Sequence, residues 1–167
     1  MSQSELSSLI WSVADLLRGE YRQSEYGRVI LVFTVLRRLD CVLSPTKAAV
    51  LKEREEKAAL GLNPAPFMRK ASAASFYNSS TLDLGKIVGD QDNIGDNLQT
   101  YIDAFSPEVR DIFERFNFAE VIDRLRKNKL LYMVTEKFAG FDLHPHRVTN
   151  VQMGLVFEEL KRCLSIG

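Results

Sequence analysis

His144 and His146 flank Pro145 and are the only two histidines in the chain. Imidazoles at this spacing could hold a metal or move a proton. A metal centre needs further ligands at workable distances, however, and Asp142 is the only acid close by in sequence. A loop that binds no metal is the plainer reading, and a small hydrolase resting on this motif has nothing else to recommend it. Cys41 lies in an apolar stretch with no histidine near it, which suits a small core residue better than a nucleophile. No serine sits in the glycine-flanked turn that exposes a nucleophile. The nine glycines are scattered without a Gly-x-Gly, so no phosphate-cradling turn is visible. No catalytic, cofactor-binding or metal-binding residue is therefore assigned. The remaining chemistry is basic. Arg124, Arg126, Lys127 and Lys129 are crowded into Asp-Arg-Leu-Arg-Lys-Asn-Lys, and Arg18, Arg22 and Arg28 gather where the first two helices should meet. Such groups contact nucleic-acid phosphates, setting position without reading sequence. The blander reading is that cations near a helix C-terminus complement its dipole and keep a face solvated.

The chain around these residues is ordinary and soluble in composition, with 46% apolar and 26% charged residues among 167. Acids and bases balance at 22 each, so the whole chain is not a polybasic binder and any contact with DNA must be local. The N-terminus has no basic leader, and the longest mostly apolar run, Val29 to Leu36, is too short to span a bilayer. Cys41 and Cys163 are far apart and form no disulfide framework, which fits a reducing, cytoplasmic setting without membrane contact.

Helical periodicity dominates the elements that must position these groups. Leu6, Leu9, Ile10, Val13, Leu16 and Leu17 form one stripe, with Ser2 and Glu5 as a capping box and Gly19 as a stop. The segment from Ser24 to Leu43 is apolar on almost every side, which predicts the central helix of the core. Ser44-Pro45 reads as a cap opening a charged, peripheral helix that stops near Gly61. Pro64, Pro66, a serine cluster, Gly85 and Gly89 then break the pattern over 62–91, leaving a long connection, functional or mobile. Ser75-Phe76-Tyr77-Asn78 could form a short strand there, and Thr81 could cap a short helix. Beyond Asp92, Leu98, Ile102 and Phe105 form a stripe, and Ser106-Pro107 repeats the cap signal. Asn117 and Asn128 are expected to cap two further helices, the second ending at Gly140, and Thr149 a last one after a Phe141–Arg147 linker. Trp11, Phe33 and Phe113 are expected in the core. The fold class is all-α, a single globular helical domain of about eight helices, with an irregular connection over 62–91 that has room for a short strand or hairpin. The expected division is a helical domain over 1–143, then a linker and the start of a joining helix over 144–167.

Three ordered stretches carry a resemblance. Residues 9–40 resemble the opening of the methyltransferase (modification) subunits of type I restriction–modification systems. There a Trp-x-x-Ala-Asp-x-Leu-Arg-Gly helix precedes a hydrophobic helix ending in a basic pair. Trp11, Ala14, Asp15, Leu17, Arg18 and Gly19 match that pattern, as do Tyr26, Arg37, Arg38 and Leu39. Asn97 to Val148 occupies the place of that family's second helical block, and Val148 to Arg162 looks like the helix leading to its catalytic domain. The resemblance implies a parent enzyme that transfers a methyl group from S-adenosylmethionine to N6 of adenine. It also implies a complex with a second modification subunit, a specificity subunit and a restriction subunit on duplex DNA. This N-terminal part would be non-catalytic, serving assembly and closure around DNA, with Arg124, Arg126, Lys127, Lys129, Arg22 and Arg28 as the candidate DNA contacts.

Adenine methylation needs an Asn/Asp-Pro-Pro-aromatic loop that holds the target amino group and stacks on the flipped base. Asn63-Pro-Ala-Pro-Phe67 is a near miss with an inserted alanine, following a helix instead of a strand, and reads as a proline-rich loop. Where the family continues into a cofactor-binding strand, this sequence runs into Cys163-Leu-Ser-Ile-Gly167, so a fragment or a truncated frame is expected. S-adenosylmethionine is thus expected in the parent subunit and not here. The alternative is a free-standing helical adaptor between proteins, without a role in DNA modification.

Overall fold

A computed structural model of the chain describes residues 3–155 and 157–158. Its first helix, α1 (Gln3–Leu17), buries Leu6, Leu9, Ile10, Val13, Ala14 and Leu17. Trp11 is 45% exposed, which corrects the expectation of a core tryptophan. It lies one residue past Ile10, about 100° further round the helix and off the buried stripe. Gly19 reverses the chain with φ +96°, and α2 (Gln23–Leu43) follows. As its all-round apolar surface predicts, α2 is the central element, with Val29, Ile30, Val32, Phe33 and Leu36 almost wholly buried. The capping box expected of Ser2 and the second cysteine, Cys163, lie outside the described residues.

Six aromatic rings connect α2 to four helices around it. Phe33 lies 5.7 Å from Phe138 and 5.6 Å from Phe118. The series continues through Phe113 and Phe105 to Tyr101, each step between 5.1 and 5.8 Å. These rings come from α6 (Ile94–Asp103) and the residues after it, α7 (Pro107–Arg115), α8 (Phe118–Lys127) and α9 (Leu131–Ala139). Such tilted and offset pairs stabilise beyond their area, and deleting one ring from a core of this kind costs roughly 3–5 kcal/mol. The amphipathicity that places them is plain in α8, where Phe118, Val121, Ile122 and Leu125 face inward.

Several boundaries differ from the sequence reading. Ser44 is helical, with φ −53° and ψ −47°, so α2 passes through one 3-10 turn at Ser44–Thr46 directly into α3 (Lys47–Ala59). Pro45 sits in a first turn, where its missing N–H costs nothing. The stop at Gly61 is as expected: φ is +76°, Gly61 N donates to Ala58 O and Leu62 N donates to Lys57 O. The connection over 62–91 contains two helices, α4 (Ala65–Ala71) and α5 (Leu84–Val88). α4 escapes sequence reading because its prolines occupy the first turn. α5 is capped by Asp83, whose Oδ1 accepts from Lys86 N at 2.8 Å, and not by Thr81. The expected strand is a single bridge between Asn78 and Phe105, pinned by Ser79 N to Ala104 O and Ser106 N to Tyr77 O. Asn128 ends α8 and does not open α9, which starts at Leu131 after Lys129 turns left-handed at φ +59°.

The stretch after α9 is strapped to α2 by the basic pair. Arg37 Nε donates to Phe141 O at 2.7 Å, and Arg38 donates to Leu143 O, Val148 O and Asn150 Oδ1. Val148 and Met153 enter the core. Thr149 and Gln152 cap the closing helical turn reciprocally, Gln152 N to Thr149 Oγ1 and Thr149 N to Gln152 Oε1. The fold is all-α and a single helical domain, as its periodicity predicts.

Candidate nucleic-acid interface

Packing four apolar residues of α8 inward leaves Glu120, Asp123, Arg124, Arg126 and Lys127 outside. Arg124, Arg126 and Lys127 complement the negative end of the helix dipole. Each also has an acidic neighbour. Arg124 pairs with Glu25 of α2, Arg126 with Asp96 at 3.6 Å and Lys127 with Asp123 at 3.2 Å. Lys129 is exposed just beyond the helix end. Exposed pairs of this kind contribute ~0–1 kcal/mol and exchange readily for other anions.

The fold brings one member of each basic group together, Arg28 and Arg124, while Arg126 turns toward Asp96 in the first turn of α6. Arg22 precedes the first turn of α2, and Arg28 is one and a half turns further along. Arg28, with Arg124 of α8, lines a groove of about 170 Å³ that also holds Tyr21, Ser24, Glu25 and Glu120. Arg28 donates Nε and Nη2 to Phe116 O at 3.2 and 2.8 Å, capping the C-terminus of α7. The Arg124 guanidinium lies over the Tyr21 ring, 4.2 Å from its centroid. Glu25 carboxylate accepts from Arg124 and from Arg22 N, and the Arg124 contact, the larger cause, holds its carboxyl below the usual range. Burial pushes the Tyr21 phenol up. Arg18, by contrast, pairs with Asp15 at 2.8 Å within its own helix. The acids woven through this face leave it without a broad positive field, so any pull on an anion would come from local donors. Tyr21, Glu25 and Glu120 were not singled out by sequence reasoning, because only the packing of α8 on α2 brings them together.

A larger cavity of about 630 Å³ opens at the α2–α3 joint, lined by Arg37, Asp40, Lys47, Tyr101, His144 and His146 among others. Asp40 accepts from Tyr101 OH at 2.6 Å and from Arg37 Nη1 at 2.7 Å. Burial nevertheless keeps its carboxyl above the usual range. Arg37 and Asp40 stand at i, i+3 in a largely apolar helix, which is the part of this network that sequence could have shown; Tyr101 joins it only through packing. The histidines stack 4.7 Å apart, and His144 Nδ1 accepts from His146 N. His144 N donates to Asp142 Oδ1 at 3.0 Å, but among the described residues neither imidazole ring is hydrogen-bonded to a side-chain hydroxyl, thiol or carboxylate. The Cys41 thiol accepts from Leu143 N, and burial raises it away from the thiolate form. Asn63 to Phe67 opens α4, with Asn63 Oδ1 accepting from Ala65 N at 3.1 Å. Among the described residues no group of three His, Cys, Asp or Glu is placed to hold a metal, and no helix is long and apolar enough to cross a membrane.

Compared with known families, residues 6–138 match the profile of the HsdM N-terminal domain. The chain belongs to the HsdM N-terminal domain family. This is the N-terminal domain of the methyltransferase subunit of type I restriction–modification systems. Neither the curated proteins nor the solved structures searched contain a match. The HsdM match begins at the inner stripe of α1 and ends at Phe138, so it takes in the whole aromatic series and both helices of the groove. Arg37 and Arg38, the basic pair of the family pattern, are structural here, fastening residues 141–150 to α2.

Proposed function

We propose that this HsdM N-terminal domain is the non-catalytic part of an S-adenosylmethionine-dependent DNA adenine-N6 methyltransferase subunit, serving subunit assembly and closure around duplex DNA in the cytoplasm. The observation that carries this reading is the family match over residues 6–138. Its DNA-facing side is the α2–α8 edge, where Arg22, Arg28, Arg124, Lys127 and Lys129 offer donors to phosphates and set the position of the duplex without reading its sequence, with Arg126 beside it on the face of α8 turned to α6. The assembly role suits the α3–α4 corner, where Leu60, Leu62 and Phe67 stay exposed at 69%, 48% and 38%. Apolar groups gathered at one corner mark a protein contact more often than a nucleic-acid one. The partners of this reading are the specificity subunit, a second modification subunit and the restriction subunit.

Co-expression with the cognate specificity subunit, followed by size-exclusion chromatography, tests the assembly half. Co-elution, weakened when Leu60 and Leu62 are replaced by serine, is the expected result. Separate elution of the two folded proteins contradicts it.

A further inference from the structure

The groove between α2 and α8 contains groups that helix packing leaves unused. Tyr21 is only 8% exposed, and its hydroxyl has no hydrogen-bond partner, Asn128 lying beside it without completing a bond. A buried unpaired hydroxyl costs about 1–3 kcal/mol, so it marks a place where a polar atom is missing. Around it stand three further donors. Arg124 covers the Tyr21 ring, Arg28 keeps Nη1 after committing Nε and Nη2 to Phe116 O, and Ser24 lies in the first turn of α2. The N-terminus of this 21-residue helix adds positive potential at the same point.

One anion already sits across these donors. Glu25 Oε1 accepts from Arg22 N at 3.1 Å, and Oε2 accepts from Arg124 Nη1. The carboxylate is planar and tethered to α2, and it leaves the Tyr21 hydroxyl without a partner. A tetrahedral phosphate presents acceptors in more directions. At about 170 Å³ the groove is smaller than the ~300 Å³ at which ligand-sized pockets begin, yet it has room for one phosphate group.

We propose that this groove is a phosphate site for a nucleic-acid backbone, and that the Glu25 carboxylate occupies it until a phosphodiester displaces it. The inference rests on the DNA-contact reading above and deepens it. The incoming phosphate takes over Arg124, engages the free Nη1 of Arg28 and supplies the missing acceptor to Tyr21. No covalent bond changes; one anion replaces another on the same donors. The native protein therefore binds DNA more weakly than the groove allows, because Glu25 must leave first.

The test is fluorescence anisotropy of a labelled duplex with the whole chain at low salt, with thermal melting of every variant. Glu25→Gln keeps the shape and removes the competing charge, and binding is expected to tighten roughly three- to tenfold. Glu55→Gln, on the remote charged face of α3, is the matched control and is expected to change binding little. Tyr21→Phe removes the unpaired hydroxyl; it is expected to weaken binding while leaving the melting temperature equal or higher, a combination that a purely structural tyrosine does not give. If native protein binds but Glu25→Gln gains no more than Glu55→Gln, the phosphate site is wrong and DNA contact stands. If Glu25→Gln fails to fold, unchanged binding by Tyr21→Phe overturns the proposal by itself. If neither native protein nor Glu25→Gln binds at low salt, both readings fall.

Discussion

Replacing Tyr101 by phenylalanine removes one oxygen from a site that is almost fully buried, with Tyr101 1% and Asp40 6% exposed. The ring keeps its place against Phe105, so the packing survives. What is lost is the 2.6 Å hydrogen bond from the phenol to Asp40 Oδ1. Asp40 keeps only Arg37, at 2.7 Å on its other oxygen. A hydrogen bond to a charged group contributes about 1.5–3 kcal/mol, so the loss is set at about 2 kcal/mol. For a domain of this size that lowers the melting temperature by roughly 4–8 °C. The pH dependence sharpens the prediction. Burial already holds the Asp40 carboxyl above its ordinary range, and Tyr101 is the first of the groups that draw it down. Without that donor the carboxyl rises further. A raised carboxyl contributes fully below its unfolded value, and that contribution is lost as pH rises through the folded value. The deficit of the variant is therefore largest at neutral pH, shrinks as pH falls through the variant's raised value toward the native Asp40 value, and is constant below that. Urea unfolding of both proteins at neutral and acid pH measures it. A loss under about 0.5 kcal/mol, or an equal loss at both pH values, refutes this account of the network.

Other consequences can be checked on the same preparations. The nearest atoms that a Cβ at Gly95 would meet belong to the Arg126 guanidinium, and that side chain is half exposed and able to swing away. Gly95→Ala is thus expected to leave stability equal or higher by up to about 1 kcal/mol from helix propensity, while breaking the Arg126–Asp96 pair; a clear drop in melting temperature contradicts this. Arg38→Ala should free residues 141–150, seen as faster amide exchange at Leu143 and Val148, with α1 to α9 still protected. Glu108 is drawn down to about 2 by Arg69, which lies 2.5 Å away. This lowered acid contributes stability above the unfolded value near 4.5, and that contribution is lost as pH falls toward 2. Because both partners are 40% or more exposed, Arg69→Ala should lower stability at neutral pH only slightly and flatten that acid limb of the stability curve.

The helices that could be read from sequence were those whose apolar residues repeat at helical spacing over several turns. α2 announces itself through Val29 to Leu36, and α8 through Phe118, Val121, Ile122 and Leu125. α4 could not be read, since seven residues carry too little periodicity and its prolines sit where helices tolerate them, while α5 was expected only as a short helix after Thr81 and its cap is Asp83. Trp11 misled because a large aromatic beside a buried stripe looks like part of it. The basic residues of the candidate interface were visible as two clusters in sequence. Their meeting was not, because Glu25 and Arg124 lie 99 residues apart and only tertiary packing joins them. The same holds for Asp40 and Tyr101, 61 residues apart.

The proposed function places phosphate contacts with duplex DNA at the α2–α8 edge. Its most direct test is the salt dependence of duplex binding by the whole chain, native and with Arg124, Lys127 and Lys129 together replaced by alanine. If three or four phosphates are neutralised, the logarithm of affinity falls with the logarithm of salt at a slope of about −3. The triple variant is then expected to bind more weakly and with a shallower slope, alike for unrelated duplex sequences. Absence of native binding at low salt, or a triple variant that matches the native slope and affinity, contradicts the account.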